Sequence, residues 1–290
     1  MKILGVGTAT LDIINRVARY PEEDSEVRAL SQRRCRGGNA TNSLSVLAQL
    51  GHECAWAGLL THDEDAAFIE RQLRAQQIDL GYIHYLSSGR LPTSYILLSE
   101  ERGTRSIVHY RELPEYRAEW FVSEVDPAAF EWIHFEGRAP AELQLMLNAA
   151  GGVDGLQVSL EIEKPRPGIE ALFHLPDLLL LSRHYALASG YSSAQSLLHS
   201  LALRLGSQSP LLFCAWGEEG AWALPPAGEL LHAPAVRVAK VVDTLAAGDV
   251  FNAAVIDATA AGKGADEALA QGCRLAARKC SREGLENLWP

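Results

Sequence analysis

The sequence predicts an α/β fold with helices on both faces of a mostly parallel sheet. Segments of helical length, 39–50, 64–77 and 142–150, separate short apolar runs, and the first segment ends before Gly51, as helices commonly do. Such alternation predicts a parallel sheet whose ligands bind at the carboxyl ends of its strands. The apolar runs are rich in branched or aromatic residues, as buried strands are, and span 3–7, 54–60, 132–137, 156–163, 178–182 and 211–216.

Two segments break this alternation and predict a second, smaller sheet. Residues 13–35 are polar and strand-like, and residues 93–110 form two period-2 patterns around a turn at 101–103. We expect a small β-sheet made of about 13–36 and 93–111, serving either as a lid over a ligand site or as a dimer surface. The chain has no repeat or linker, so residues 1–290 are expected to form one domain.

Composition excludes several classes of protein. The 290 residues are 48% hydrophobic and carry a formal net charge of −10, which argues against a nucleic-acid partner. No apolar run approaches the roughly 18 residues of a membrane span, so no membrane partner is expected. Five cysteines without metal-ligand spacing indicate reduced thiols and a cytoplasmic protein.

The stretch "AAGDVFN", residues 246–252, is the first candidate for chemistry. Its small residues allow a tight turn whose N–H groups share one space with the N-terminus of a helix that starts near Gly248. Asp249 is expected to be ionised there and to accept a proton from a hydroxyl that attacks phosphorus. The alternative is that Asp249 is only a helix-terminal residue. The adjacent Asp243 and Thr244 favour the functional interpretation.

The stretch "RGGNATNS", residues 36–43, is the second candidate. Gly38 and its preceding glycine allow close backbone approach, and Asn39 and Asn42 are three apart at a helix start, so both amides can face one side. Paired amides suit sugar hydroxyls, which donate and accept hydrogen bonds. The alternative is a glycine-rich turn with an asparagine cap. Asp12, just after the first strand, is a third polar group at the same sheet edge.

The stretch at 213–224, "FCAWGEEGAWAL", predicts a strand, a turn and a return strand. Gly217 and Gly220 leave room for a nucleotide, although a plain hairpin turn is the commoner meaning. Separately, three cations near strand ends are interpreted as surface charges: Arg105, Arg138 and Lys164. The sequence contains no GxxxxGK[ST], GxSxG or HExxH motif, and no GxGxxG after the first strand.

Two of these stretches together resemble a known family. "GGNATNS" and "DTLAAGD" are similar to the two signatures of the ribokinase family of carbohydrate kinases. Within that family, the chain resembles the ketohexokinase (fructokinase) branch nearly end to end. The segments that carry this resemblance, in order, are "YPEEDSEVRALSQRRCRGGNATNS", "WIHFEGR", "EIEKPR", "CAWGEEGAWAL", "VVDTLAAGDVFNAAVI" and "GCRLAARKC".

The resemblance implies a ribokinase-like three-layer sandwich with a small β-sheet lid, and a homodimer formed by two clasped lids. It implies ATP-dependent phosphorylation of a ketose, D-fructose to fructose 1-phosphate, with Mg²⁺ accompanying ATP. Two alternatives remain: a kinase for another sugar such as ribose or tagatose, and a sugar- or nucleotide-binding pseudokinase that acts as a sensor.

The resemblance also implies roles for individual residues. Asp249 is the implied base, and the amides of Ala246, Ala247 and Gly248 form the anion hole. The implied sugar contacts are Asp12, Gly38, Asn39, Asn42 and, from the partner's lid, Asp24, with Arg105 approaching the phosphates. The implied nucleotide contacts are Lys164, Trp216, Glu218, Gly220, Thr244, Phe251 and Cys280. No metal ligand is assigned.

Three departures from the family pattern stand out. Ala246 replaces a glycine, so if this position needs φ > 0 the alanine strains the anion hole by roughly 1 kcal/mol. Residues 238–240 are Val-Ala-Lys where ketohexokinases have a proline run beside adenine. Ser182 begins Ser-Arg-His where many relatives carry an Asn-x-x-Glu element.

Overall fold

The computed structural model describes residues 1–288. Its strands are β1 (Lys2–Val6), β2 (Thr10–Val17), β3 (Ser31–Gly37), β4 (Glu53–Leu60), β5 (Asp79–Tyr85), β6 (Thr93–Ser99), β7 (Arg105–Tyr110), β8 (Trp132–Glu136), β9 (Gln157–Ile162), β10 (Leu178–Ser182), β11 (Leu211–Ala215), β12 (Ala221–Leu224) and β13 (Leu231–Ala233). Its α-helices are α1 (Asn39–Gln49), α2 (Glu64–Ala75), α3 (Ala118–Glu124), α4 (Pro140–Ala150), α5 (Arg183–Ala188), α6 (Ala194–Leu205), α7 (Ala247–Ala260) and α8 (Ala265–Cys280).

The central sheet has nine strands in the order β13-β12-β11-β10-β9-β8-β1-β4-β5. The seven strands from β11 to β5 in this spatial order pair in parallel with one another. At the other edge of the sheet, β12 and β13 pair antiparallel. The predicted mostly parallel sheet is therefore confirmed. The predicted hairpin at 213–224 is the antiparallel pair of β11 and β12.

Helices cover both faces of this sheet and make three layers. Along β10, Leu178 and Leu180 pack into one buried cluster with residues of α1, α2, α7 and α8, while Leu179 and Leu181 pack into a second with α3, α4, α5 and α6. Burial on both faces explains why the parallel strands are continuous apolar runs rather than alternating ones. The three-layer fold class is confirmed.

The small sheet has the order β3-β2-β6-β7, with a parallel central pair and antiparallel outer pairs. The predicted turn at 101–103 closes it, with Gly103 N–H donating to the Ser99 carbonyl oxygen at 2.9 Å. Every residue of β7 is exposed, including Ile107 and Val108. Ile107 lines the cavity, whereas Val108 lies on the opposite face of the sheet beside its exposed cross-strand partner Tyr95. The face away from the cavity is thus apolar and uncovered in the single chain.

Helix α4 begins two residues before the predicted segment. Pro140 occupies its first turn, where the backbone N–H that proline lacks would have no intrahelical acceptor. Ala139, just before it, has a left-handed conformation. Within residues 1–288, no helix is both long and apolar enough to cross a membrane.

Candidate functional site

A cavity of about 1680 Å³ opens where the predicted site was expected, at the carboxyl ends of the parallel strands. Glu161, Ser182 and Ala215 line it at the ends of β9, β10 and β11, and the first turn of α7 and the small sheet supply the remaining walls. Sites for a single small ligand are usually about 300–1,000 Å³. The cavity is therefore large enough for two substrates.

The first turn of α7 forms a nest of backbone donors at the cavity wall. Ala246 precedes the helix in a left-handed conformation, with φ 60° and ψ 12°. The first N–H groups of a helix have no intrahelical acceptor, although Ala247 N–H donates to the Thr244 carbonyl oxygen over a long 3.4 Å. Among residues 1–288, no atom outside the helix backbone and the adjoining residues lies within 4 Å of where a side chain would project from Gly248. Ala246, Ala247 and Gly248 all line the cavity. The turn thus offers an anion an open approach to the helix N-terminus.

Buried charges hold the segment before α7 in place. Asp243 is buried, accepts a hydrogen bond from Leu245 N–H at 2.9 Å, and pairs with Lys279 at 3.1 Å and Arg33 at 2.9 Å. Although burial alone raises the pKa of Asp243, the Lys279 ammonium and the Leu245 amide hold it below its usual value. The Cys280 carbonyl oxygen accepts from Val242 N–H at 2.7 Å. Asp243, taken in the sequence as a sign of chemistry, therefore anchors the turn.

Asp249 lies in the first turn of α7, and its carboxylate is buried. Oδ2 accepts a hydrogen bond from Asn42 Nδ2 at 2.7 Å. Burial raises the pKa of Asp249 to about 7, opposed by the Asn42 hydrogen bond and reinforced by the nearby Glu163 and Glu136. The sequence predicts an ionised Asp249. Loss of hydration on burial is the largest cause of this rise in the pKa, so the site disfavours the ionised carboxylate.

The two asparagines of α1 both line the cavity, as predicted, but they differ in their contacts. Gly38, with φ 108°, brings the chain so close that a Cβ would lie 2.0 Å from the Thr8 carbonyl oxygen. Asn39 Nδ2 donates to Glu161 at 3.2 Å and to Glu163 at 3.3 Å. Asn42 instead links Asp249 to another buried side chain, described below. The side-chain oxygen of Asn39, Oδ1, is thereby the amide acceptor that can face a ligand.

Sequence reasoning missed three glutamates beside Asp249. Glu136 and Glu161 are direct neighbours in the register of β8 and β9, and Glu163 follows β9. Glu136 accepts from Thr8 N–H at 2.9 Å and pairs with Arg138 at 2.6 Å. Alternation within "WIHFEGR" and "EIEKPR" could have placed these carboxyls at one sheet edge.

Glu161 is the least compensated member of this group. Its Oε2 atom is buried and has no hydrogen-bond partner among residues 1–288. Burial, followed by the neighbouring charges of Asp249, Glu136 and Glu163, raises the pKa of Glu161 well above its ordinary value. The surroundings of Glu161 therefore disfavour a negative charge on its carboxyl.

The small sheet contributes two of the predicted site residues. Asp12 lines the cavity and accepts from Thr10 Oγ1 at 2.9 Å, and burial raises its pKa despite that bond. Arg105 Nη1 donates to Thr244 Oγ1 at 2.8 Å, which joins the small sheet to the segment before α7. Asp24 lies in the exposed loop between β2 and β3, outside the cavity lining.

Most of the predicted nucleotide contacts line the cavity: Lys164, Glu218, Gly220, Thr244, Phe251 and Cys280. Trp216 is the exception, since it is buried and does not line the cavity, with the Arg183 guanidinium 5.6 Å from its ring centroid. Gly220 lines the cavity, but its missing side chain accommodates the Ala233 carbonyl oxygen, which would lie 2.1 Å from a Cβ. Packing of the hairpin edge therefore requires this glycine.

Arg138 is not the surface charge expected from the sequence. It lines the cavity and its guanidinium pairs with Glu136, and with Glu115 at 3.4 Å. Across residues 1–288, no group of three or more His, Cys, Asp or Glu side chains is arranged to hold a metal ion. All five cysteines are free thiols.

Comparison with known proteins assigns the family. A model described as pfkB family carbohydrate kinase matches residues 2–290. The chain belongs to this family. It is 41% identical to the ketohexokinase of Mus musculus over 295 residues, which covers 99% of this chain and 98% of that protein. The family and this similarity make the protein a sugar kinase.

Solved structures of pfkB-type kinases share the fold. The ribokinase of Thermotoga maritima aligns with a TM-score of 0.78 at 22% identity, and the Arabidopsis thaliana ribokinase complexed with ribose and ATP aligns with 0.80 at 19%. Each alignment covers 99% of this chain and 95% of the solved chain. The ribokinase fold implied by the sequence motifs is confirmed.

Proposed function

We propose that the protein transfers the γ-phosphoryl group of ATP to a ketose, with D-fructose as the substrate and fructose 1-phosphate as the product. The observation that carries the proposal is the position of Asp249, a buried carboxyl in the helix turn whose first residues line the cavity and whose N–H groups have no intrahelical acceptor. The 41% identity to mouse ketohexokinase favours fructose among sugars. The Arabidopsis ribokinase complex, with ribose and ATP, favours ATP as the donor.

The proposed reaction is an in-line transfer across the first turn of α7. The sugar lies against Asp12, Gly38 and Asn39, and its 1-hydroxyl faces Asp249. The ionised Asp249 carboxylate accepts the hydroxyl proton as the oxygen bonds to the γ-phosphorus and the bond to the β,γ-bridging oxygen breaks, releasing ADP.

Backbone N–H groups of Ala246, Ala247 and Gly248 stabilise the negative charge on the transferring group, an effect usually worth about 3 kcal/mol per donor. Arg105 approaches the phosphates from β7 of the small sheet, and Lys164 approaches them from the segment after β9. The nucleotide extends past Glu218, Thr244, Phe251 and Cys280, with Trp216 supporting that wall from behind.

Mg²⁺ is proposed to enter with ATP. Magnesium usually takes one or two carboxylates together with phosphate oxygens and water, which fits a cavity without a three-residue metal cluster among residues 1–288. The Glu163 carboxylate, partly exposed beside Lys164, and the unpartnered Oε2 of Glu161 are the candidate protein ligands. The bound ion would offset the charge of the β- and γ-phosphoryl oxygens.

We also propose a homodimer formed through the small sheet, because the face that carries Tyr95 of β6 and Val108 of β7 is apolar and exposed in one chain. Asp24 would then enter the partner's sugar site. Mixing Asp24→Ala with Asp249→Asn chains tests this, because one site of each heterodimer then keeps both aspartates. Activity above that of either parent is expected. A mixture no more active than its parents would refute the role of Asp24 in the partner's site.

A panel of sugars tests the main proposal. Coupled ADP release with fructose, tagatose, ribose and glucose is expected to give the highest kcat/KM on fructose. Highest kcat/KM on another sugar would replace fructose but keep the kinase. Calorimetric binding of sugar or nucleotide without turnover on any sugar would favour a sensor, to which the strained left-handed Ala246 gives some support.

A further inference from the structure

Arg36 is a buried cation that no predicted role explains. It ends β3 next to Gly37, and only 7% of its surface is exposed. Within residues 1–288 it forms no salt bridge, and its Nε atom is buried without a hydrogen-bond partner. A buried, unpaired guanidinium is costly, and burial lowers the pKa of Arg36 to about 10 despite nearby acidic groups.

A chain of hydrogen bonds leads from Arg36 to Asp249. Arg36 Nη1 donates to Asn42 Oδ1 at 2.9 Å, and Asn42 Nδ2 donates to Asp249 Oδ2 at 2.7 Å. Nη2 donates to Ser45 Oγ one turn further along α1, which fixes the guanidinium against the helix. The amide of Asn42 is thereby held in one orientation, with its donor toward the carboxylate.

Arg36 and Asn42 oppose the acidic groups around Asp249. The Asn42 hydrogen bond and the Arg36 charge lower the pKa of Asp249, while burial and the glutamates raise it. The charged and titratable groups facing Asp249 or Arg36 come from β2, β3, β8, β9 and the C-terminal segment: Asp12, Cys35, Glu136, Glu161, Glu163 and Glu286. All six of these groups are acidic. Arg138 and Lys164, which pair with Glu136 and Glu163, are cations that line the same cavity.

We propose that Arg36 is a positioning residue which, through Asn42, orients the base Asp249 and stabilises the negative charge of its carboxylate. The proposal rests on the proposed function, since it assigns Asp249 the role of base. It adds that Asn42, which the family resemblance places at the sugar, also connects Arg36 to that base. Polarisation along hydrogen-bonded chains in a low-dielectric interior supports such an effect.

The test is a ¹³C NMR titration of aspartate carboxyls in the full-length protein, with Asp249→Asn used to assign the resonance. Arg36→Met, which keeps most of the volume but removes the charge, is expected to raise the Asp249 midpoint by about one pH unit. Arg36→Lys is expected to give a smaller rise. Arg204→Met, on the exposed face of α6, is the control and should leave the midpoint unchanged.

Asn42→Ala tests whether the effect passes through the amide. It is expected to raise the midpoint as well, and Arg36→Met should add little in that background because the two residues belong to one chain of hydrogen bonds. An unchanged midpoint in Arg36→Met, or a full additional rise in the Asn42→Ala background, would overturn the inference. If Arg36→Met does not fold, an unchanged midpoint in Asn42→Ala would do so.

Kinetics separate this inference from the proposed function. The acid limb of kcat/KM is expected to move with the NMR midpoint, so that activity below the limb falls about tenfold for each pH unit by which the midpoint rises. A merely structural role would lower stability and kcat without moving the limb. Because the titration needs no turnover, a wild type inactive on every sugar would refute the proposed function and leave the NMR result to decide the role of Arg36.

Discussion

Replacing Ala246 by glycine tests the strained turn before α7. With φ 60° and ψ 12°, Ala246 is left-handed, a conformation that carries roughly 1–2 kcal/mol of strain for a residue with a Cβ. Glycine removes this strain, but its greater conformational freedom stabilises the unfolded state by about 0.4–1 kcal/mol. The free energy of unfolding is therefore expected to rise by at most about 1.5 kcal/mol, as measured by urea denaturation.

The same substitution is expected to raise kcat. Strain at Ala246 opposes the geometry in which the N–H groups of the turn converge on the transferring phosphoryl group. If this strain raises the activation free energy of phosphoryl transfer by about 1 kcal/mol, Ala246→Gly increases kcat up to about fivefold. Coupled ADP release at saturating sugar and ATP measures this, and the sugar KM should change little.

Ala227→Gly is the matched control. Ala227 also has positive φ, 52°, but lies in an exposed turn between β12 and β13, outside the cavity. Its replacement should give a similar gain in stability and an unchanged kcat. A decrease in kcat for Ala246→Gly, or an equal increase for Ala227→Gly, would refute the link between this turn and phosphoryl transfer.

Three further predictions follow from the site. Because the pKa of Asp249 is raised to about 7 and a protonated carboxyl accepts no proton, kcat/KM should fall about tenfold per pH unit below pH 7; a profile flat to pH 5 would contradict this. Gly38→Ala should raise the sugar KM and lower the melting temperature more than Gly51→Ala, which has φ 94° but open space around it; equal losses would show that close approach at Gly38 is unimportant. Asp243→Asn should lower the free energy of unfolding, measured by urea denaturation, by about 3 kcal/mol, because it leaves the buried Lys279 without its partner. Glu100→Gln, in an exposed ion pair, should lower it by less than about 1 kcal/mol, and similar effects of the two substitutions would contradict the anchoring role of Asp243.

Local patterns in the sequence were enough for the sheet and the turn. The run "LLLLS" is β10 and is buried on both faces, and "AAGDVFN" begins α7 one residue before the predicted start near Gly248. Both depend on hydrophobic periodicity and on small residues at a helix N-terminus, which a single sequence reveals.

The electrostatics of the site depend on contacts between distant segments. Glu136 and Glu161 become neighbours only through the register of β8 and β9, and together with Glu163 they bring acidic charge to Asp249. The buried environment of Asp249, which the sequence did not predict, is what raises its pKa.

Two predicted nucleotide contacts illustrate the same limit. Trp216 and Gly220 flank a turn that could be located from the sequence, but the direction of the tryptophan ring and the close approach of Ala233 to Gly220 depend on how β13 and Arg183 pack around the hairpin. Sequence motifs located the segment, and tertiary packing decided which side chains reach the cavity.

The most direct test of Asp249 as the base of a fructose kinase is NMR analysis of the product formed from D-fructose and ATP. Wild type is expected to form fructose 1-phosphate, and Asp249→Asn to form it at least about a hundredfold more slowly. Asp266→Asn, in the exposed first turn of α8, is the control and should behave as wild type. Phosphate on another carbon, or formation of fructose 1-phosphate at the wild-type rate by Asp249→Asn, would contradict the account.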